Sequence, residues 1–156
     1  TWAGQLVWAH LVSVSSGAKL FQGLGYGGCA ATATAPAKDK WDGCTTSNYF
    51  GMSAAFTPTW YQVFPGVDLS APLAVFGGLS GNAPSGGGGF ERLMSWSMGV
   101  KMTYASRYEF TLRYADMAAA TIYNAAGTTA LGGNGLSSAI GATDRGWLTF
   151  TFKTAF

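Results

Sequence analysis

The chain has 156 residues and a net charge of +2; only 10% of its residues are charged, whereas 15% are aromatic and 23 are glycine. Soluble domains usually carry about 25% charged residues, so this chain has too few to cover a water-exposed surface of its size. Its basic residues are scattered singly, which argues against a nucleic-acid partner. Its apolar runs fall well short of the ~20 residues of a membrane-spanning helix, so the composition favours a transmembrane β-barrel.

Hydrophobic alternation with a period of two predicts six antiparallel strands, because successive side chains of a strand point to opposite faces. The predicted strands span residues 2–14, 50–62, 67–79, 91–104, 107–116 and 145–156. Pro58 and Pro72 each lack a backbone N–H, so each marks a bulge or a weak point of the second or third strand. A soluble sandwich also shows alternation, but the large aromatics on every apolar face favour the barrel.

One phase of the alternation is predicted to face lipid. In the first strand its members are Leu6, Trp8, Val12 and Val14, and in the fourth they include Trp96, Met98 and Tyr104. In the last two strands they include Tyr108, Phe110, Leu112, Phe150 and Phe152. The opposite phase is predicted to face the lumen and carries the charged residues Lys101, Arg107, Glu109, Arg113 and Lys153. We interpret these charges as lumen solvation and cross-strand pairing; the alternative is a cationic stripe that guides anionic head groups or carboxylates.

The connections between the predicted strands alternate between long and short. The long ones are 15–49, 80–90 and 117–144, and the short ones are 63–67 and 105–106. In an antiparallel meander this pattern puts every long loop on one side, as in outer-membrane barrels. We therefore expect a protein of the bacterial outer membrane with extracellular long loops and a periplasmic carboxy terminus.

Cys29 and Cys44 both lie in the first long loop. In an exported protein such a pair predicts a disulfide, because the periplasm oxidises thiols. A metal site is the alternative, but no histidine or acidic partner stands at ligand spacing. We predict neither a catalytic residue nor a cofactor.

Three further features bear on possible chemistry. His10 is the only histidine and shares the lipid-facing phase. A hydrolase that acts on lipid from this face would need a serine nucleophile and a residue that orients the histidine. Ser13 and Ser15 are near in sequence, but no orienting residue is recognisable. The run Gly86–Gly89 follows a strand without opening a helix, so it predicts a flexible loop tip and not a phosphate cradle. The stretch from Ala118 to Thr143, rich in small residues, is predicted to be mobile and exposed.

Several longer motifs carry a family resemblance. They are PTWYQVFPGVDLSAP at 58–72, GLSGN at 78–82, DRGWLTFTFKTAF at 144–156 and DGCT at 42–45. They resemble the proteobacterial outer-membrane barrel family catalogued as domain of unknown function 1302. The resemblance implies a barrel several times longer than this chain, suspected of moving hydrophobic compounds or lipids beside a periplasmic lipoprotein-like partner. The final Phe156, with Phe152 and Phe150, also looks like the signal that the barrel-assembly machinery reads.

Six strands leave two open edges, and an unpaired edge in hydrocarbon is prohibitively unfavourable. We therefore expect this chain to be the carboxy-terminal part of a larger barrel, closed by the remaining strands of the parent protein or by further copies. Its expected partners are outer-membrane lipids and the assembly machinery. The expected function is a channel or transporter for hydrophobic or amphipathic compounds. A structural or adhesive surface barrel is the alternative, and an outer-membrane lipid hydrolase comes third.

Overall fold

The computed structural model describes residues 1–16, 29, 31, 33–34, 36, 38–84, 89–128, 130–133, 143 and 145–154. Within these segments the chain is all-β, and its paired strands run antiparallel, as predicted. The strands are β1 (Trp2–His10), β2 (Asn48–Phe56), β3 (Thr59–Phe64), β4 (Val67–Ser70), β5 (Leu73–Ser80), β6 (Met94–Tyr104), β7 (Tyr108–Ala118), β8 (Thr121–Tyr123), β9 (Ala130–Gly133) and β10 (Trp147–Thr154). A 3₁₀ turn at Lys40–Asp42 precedes β2. The described segments hold no helix with the length and hydropathy that a membrane span requires.

Eight of the strands form one sheet that follows the chain as a meander. The order across it is β1, β2, β5, β6, β7 and β10, while β4 lies beside β6 in line with β5, and β3 pairs with β4. β8 and β9 form a separate hairpin. Within the described residues β1 pairs only with β2, and β10 pairs only with β7. The sheet is therefore open at these two edges, and a closed barrel is not seen.

Both proline-containing strands are interrupted where the sequence predicted weakness. Thr57 and Pro58 separate β2 from β3, and Ala71 and Pro72 separate β4 from β5. The Ala71 N–H donates to the Pro58 carbonyl over 3.0 Å, so the two breaks lie side by side. Because proline cannot donate to the ladder, each predicted strand is two shorter strands in line.

Other strand ends differ from the prediction. β1 ends at His10 and not at residue 14, and β6 begins at Met94 and not at residue 91. The segment before β6 folds back onto β5 instead: the Gly78 N–H donates to the Leu93 carbonyl over 2.9 Å. The third long loop contains the β8–β9 hairpin. Part of that loop is therefore regular structure, and residues 122, 123 and 125–128 are exposed as predicted, whereas its mobility stays a prediction.

The register of β6, β7 and β10 sorts side chains onto the two faces as the alternation predicted. One row across these strands consists of Met102, Phe110 and Phe152, and the adjacent row consists of Thr103, Glu109 and Lys153. Adjacent rows point to opposite faces of a sheet, so in these two rows apolar and charged side chains are separated. On the apolar face Trp2, Leu6 and Phe150 are 82%, 83% and 67% exposed. The polar face, in contrast, borders a groove that side chains of six strands share.

Candidate functional site

The first two long loops meet at one end of the sheet in a compact structure that we call the loop cluster. It consists of Cys29 and residues 38–49, 81–84 and 89–93. Asn82, on the second loop, is fully buried, and its side-chain Nδ2 donates to the Lys40 and Cys44 carbonyls over 2.7 and 2.8 Å. Its Oδ1 accepts the Glu91 N–H over 3.0 Å. One amide side chain thus satisfies buried backbone groups of both loops, which joins them.

The predicted disulfide between Cys29 and Cys44 is present in this cluster, with their Cα atoms 6.1 Å apart. Both cysteines are buried. The 3₁₀ turn beside Cys44 is capped by Asp39, whose carboxylate accepts the Trp41 N–H over 2.8 Å. Gly43 ends the turn in the left-handed region at φ 86°, which favours glycine. The crosslink therefore closes a short and well-capped segment.

An ion pair between Lys40 and Glu91 also joins the two loops of the cluster. Lys40 Nζ lies 2.7 Å from a Glu91 carboxylate oxygen, which also accepts the Gly81 N–H over 2.6 Å. The hydrogen bonds from Lys40 lower the pKa of Glu91 below its ordinary value of 4.5, although partial burial opposes this shift. The Lys40 ammonium and the Arg92 guanidinium also lie 4.8 and 5.8 Å from the ring centroid of Trp41. Such cation–π contacts add to the attachment of the two loops.

The third long loop reaches the same end of the sheet. β9 contacts the 3₁₀ turn at Lys40–Asp42. A groove of about 410 Å³ lies between Trp41 and Arg92 on one side and residues 118–122 on the other. The three long connections therefore share one end, as their lengths predicted. The tight turns at 65–66 and 105–107 lie at the other end.

The loop cluster packs tightly on the start of β2, which no pattern in the sequence indicates. Tyr49 is only 3% exposed. A Cβ atom at Gly89 would lie 2.0 Å from the Tyr49 hydroxyl oxygen, so the second loop can pass over this ring only at a glycine. Of the predicted flexible tip, residues 86–88 lie outside the described residues.

The polar face of the sheet carries four of the five charges that were predicted to line the lumen. Glu109 is the centre of one group: its carboxylate oxygens lie 2.5 Å from Lys101 Nζ and 3.4 Å from Lys153 Nζ. Arg113 lies apart from this group and donates to the Ser97 hydroxyl over 2.8 Å. Arg107 lies in the turn at 105–107 and not within a strand, and its guanidinium stands 5.4 Å from the ring centroid of Tyr108. The pairing around Glu109 matches the interpretation of these charges as cross-strand partners.

The polar face also contains a groove of about 560 Å³. Its floor is one row of paired residues across six strands, consisting of Ala3, Ala55, Ala74, Ser97, Ala115 and Trp147. Phe76 and Arg113 stand on the same face, two residues along their strands from this row, and also line the groove. Because residues of β1 and β10 line the same groove, the sheet curves around this face. Phe76 and Trp147 were missed by the sequence analysis, although their positions in the alternation place them in the polar phase.

The other sequence candidates do not assemble a reactive centre in the described residues. His10 Nδ1 lies 2.9 Å from Asn48 Oδ1, and the His10 ring stacks on Trp8 with centroids 5.9 Å apart. Neither Ser13 nor Ser15 makes a hydrogen bond to His10 there. Within the described residues, no three histidine, cysteine, aspartate or glutamate side chains lie together in a group that could bind a metal ion. Phe150 and Phe152 lie on the apolar face, whereas Phe156 lies outside the described residues.

Comparisons with known proteins bear on the family alone. No curated protein and no solved structure matches the chain significantly. A family model matches residues 1–156, which is the entire sequence, and this agrees with the resemblance noted in the motifs at 58–72 and 144–156. The chain therefore belongs to the family described as "Protein of unknown function (DUF1302)".

Proposed function

We propose that this chain is part of a β-barrel of the bacterial outer membrane that conducts hydrophobic or amphipathic, lipid-like compounds. The observation that carries the proposal is the contrast between the two faces of one antiparallel sheet. One face exposes large apolar side chains such as Leu6, at 83%, and the other holds charges and a groove. A sheet with this division suits a barrel wall between lipid and a polar lumen.

The apolar face supports a membrane environment. Soluble monomers rarely expose contiguous apolar patches larger than a few hundred Å². The exposed apolar side chains come from β1, β2 and β10, so the apolar surface reaches both edges of the sheet. They include Trp2, Leu6, Trp8, Phe56, Leu148, Phe150 and Phe152. The eleven residues of β6 reach about 36 Å, and at a tilt near 45° this covers an apolar band about 25 Å tall.

Aromatic rings at the short-turn end support the proposed orientation. Tyr104 stacks on Tyr108 with ring centroids 6.3 Å apart, and Tyr108 stacks on Phe152 at 6.4 Å. Tyrosine rings are enriched where hydrocarbon meets water, so this row fits a membrane boundary. In our proposal this end is periplasmic, the loop cluster is extracellular, and the carboxy terminus points to the periplasm.

The open edges at β1 and β10 require covering in a membrane. In the proposal they pair with further strands, supplied by the parent polypeptide or by other copies. The barrel-assembly machinery would insert the protein, and a periplasmic lipoprotein-like protein would work beside it. Small side chains along the groove floor leave space for a solute between the strands and the lumen centre.

Uptake measurements test the conduit. Cells lacking the gene should take up fatty-acid-like and sterol-like compounds more slowly than the parent strain, and the gene supplied in trans should restore the rate. Uptake of a small hydrophilic sugar serves as the control and should not change. Equal flux of the whole apolar panel in both strains, together with a lumen filled by side chains, would contradict the conduit.

One observation favours a structural or adhesive surface barrel as the second candidate. The loop cluster is crosslinked by Cys29–Cys44 and joined by the buried Asn82, so it is a rigid platform at the proposed extracellular end. Rigid loops favour specific contact with other chains or surfaces, whereas a conduit needs its loops only to leave the opening of the lumen unblocked. Loss of cell–cell or cell–surface attachment with normal uptake in the gene deletion would favour this second function.

A further inference from the structure

Arg113 differs from the other cations of the polar face in its surroundings. Lys101 and Lys153 both contact Glu109, whereas Arg113 has no carboxylate within ion-pair distance among the described residues. Its guanidinium donates to Ser97 Oγ over 2.8 Å, and the Ser97 residue is only 8% exposed. A guanidinium has five N–H donors, so this single bond orients the group and leaves donors for a ligand.

The space around Arg113 is kept open by its neighbours across the sheet. Gly99 is its direct partner on β6 and contributes no side chain. A Cβ atom at Gly99 would lie 2.8 Å from the Leu112 carbonyl oxygen and 3.4 Å from the Arg113 Cβ, so a larger residue would crowd this site. The arginine therefore reaches diagonally to Ser97 and points along the groove.

The rest of the groove is mostly apolar. Four alanines make up most of its floor, which ends at Trp147, and Phe76 and Met117 stand beside it. A volume of about 560 Å³ lies within the range of small-molecule sites, roughly 300–1,000 Å³. Asp116 also touches the groove, but it pairs with Trp96 and so belongs to the opposite phase; its carboxylate accepts the Met117 N–H over 2.7 Å. Arg113 is thus the cation that the groove presents to a solute.

We propose that this groove is a binding station for an apolar monocarboxylate, with the carboxylate on Arg113 and the apolar body along the alanine floor between Phe76 and Trp147. The station deepens the proposed conduit and rests on it. Arginine suits the role because its planar fork can bind a carboxylate through two parallel hydrogen bonds. The Lys101–Glu109–Lys153 group is less suited, because Glu109 already occupies both ammonium groups.

Binding of dodecanoate and dodecanol to the full protein in non-ionic detergent tests the station, because the two probes differ only in the acid group. The wild type should bind dodecanoate more tightly than dodecanol in calorimetric titrations. Arg113→Gln should weaken dodecanoate binding about 10- to 100-fold and leave dodecanol binding unchanged, since it removes only the charge-assisted hydrogen bonds to the acid group. The affinity of Arg113→Lys for dodecanoate should lie between those of the wild type and Arg113→Gln, because lysine keeps the charge but lacks the planar fork.

Two further variants separate the acid contact from the apolar contact. Phe76→Ala should weaken the binding of both probes by a similar factor, because it removes part of the groove wall that contacts their alkyl chain. Arg145→Gln removes an exposed cation that does not line the groove, so it should leave both affinities unchanged. If Arg113→Gln fails to fold, Ser97→Ala gives the same test through loss of the orienting hydrogen bond, with a smaller loss of dodecanoate affinity.

Equal affinities of the wild type for the two probes, or full dodecanoate affinity in Arg113→Gln, would overturn the station. Flux of both probes into proteoliposomes containing the protein decides the conduit separately. Flux without preference for the acid would leave the conduit standing and remove only the station. Absence of flux for both probes would count against the conduit itself.

Discussion

At the scale of single residues, Asn82 shows how one side chain can hold two loops. It lies on the second long loop and bonds to backbone groups of Lys40, Cys44 and Glu91 from a fully buried position. Buried polar groups are tolerated when every donor and acceptor finds a partner. The Asn82 side chain meets this condition, although no pattern in the sequence indicates this role.

Asn82→Ala should destabilise the loop cluster by about 2–4 kcal/mol, because it leaves two carbonyls and one N–H buried without their partner. Limited proteolysis within residues 38–49 and the midpoint of urea unfolding measure the effect. Asn124→Ala is the matched control, since Asn124 bonds to Thr128 within a local turn of the third loop. Equal protease resistance of wild type and Asn82→Ala would contradict the central role of this amide.

The Glu91–Lys40 ion pair predicts that the loop cluster depends on pH. The pKa of Glu91 is lowered in the folded protein, first by hydrogen bonds from Lys40, so its stabilising effect is complete above the ordinary value of 4.5. The effect should be lost as the pH falls through the lowered pKa. Protease cleavage in residues 81–93 should therefore rise below pH 4.5 in the wild type. The Glu91→Gln variant should be cleaved more readily than the wild type at neutral pH, and its cleavage should change less on acidification.

At the scale of elements, strand β7 separates two environments within consecutive residues. Leu112 is 47% exposed on the apolar face, where it pairs with Val100 and Phe150. Thr111 points to the opposite face, where it pairs with Lys101 and Thr151. If the sheet is a barrel wall, one neighbour contacts hydrocarbon and the other contacts water.

Leu112→Arg should therefore destabilise the protein in lipid bilayers by about 2–4 kcal/mol, the typical effect of a lipid-facing arginine near the midplane. Thr111→Arg should have a much smaller effect, because a lumen can solvate the new charge. Reversible denaturant unfolding from vesicles compares the two variants. Similar losses in both would contradict the assignment of the faces to lipid and lumen.

At the scale of the whole molecule, the main question is how the two edges of the sheet are covered. Strand β1 pairs on one side with β2, and β10 pairs on one side with β7, within the described residues. Strands β2, β4, β5, β6 and β7 are paired on both sides over much of their length, whereas the described residues of β3 pair only with β4. An exposed ladder edge would favour association with another strand, whatever the environment.

Hydrogen exchange can measure whether these edges are covered in the assembled protein. We expect backbone amides along both edge strands to exchange as slowly as those in the centre of β6, because closure by further strands pairs them all. The exposed loop residues near 124–128 provide the fast-exchanging control. Rapid exchange confined to alternate amides of β1 and β10 would show that the edges are free and would contradict closure.

The amino-acid sequence was sufficient for the features that depend on local periodicity. Alternation across 94–104, 107–116 and 145–156 predicted strands, and Pro58 and Pro72 predicted the weak points at which the strands are interrupted. The lengths of the connections predicted that the long loops share one end. These features follow from the two-residue repeat of a strand and from the missing N–H of proline, both of which are visible within a few residues.

The remaining features depend on register and on contacts between distant segments. The groove floor exists because Ala3, Ala74 and Ala115 fall in one row, and a shift of a single residue between two strands would have moved one to the other face. The bonds of Asn82 and the pairing of Glu109 with Lys101 also join residues whose proximity no local pattern encodes. Periodicity alone could therefore assign residues to faces, whereas only the assembled sheet could bring Arg113, Phe76 and Trp147 to one groove, because cross-strand register is set by the sum of many long-range pairings.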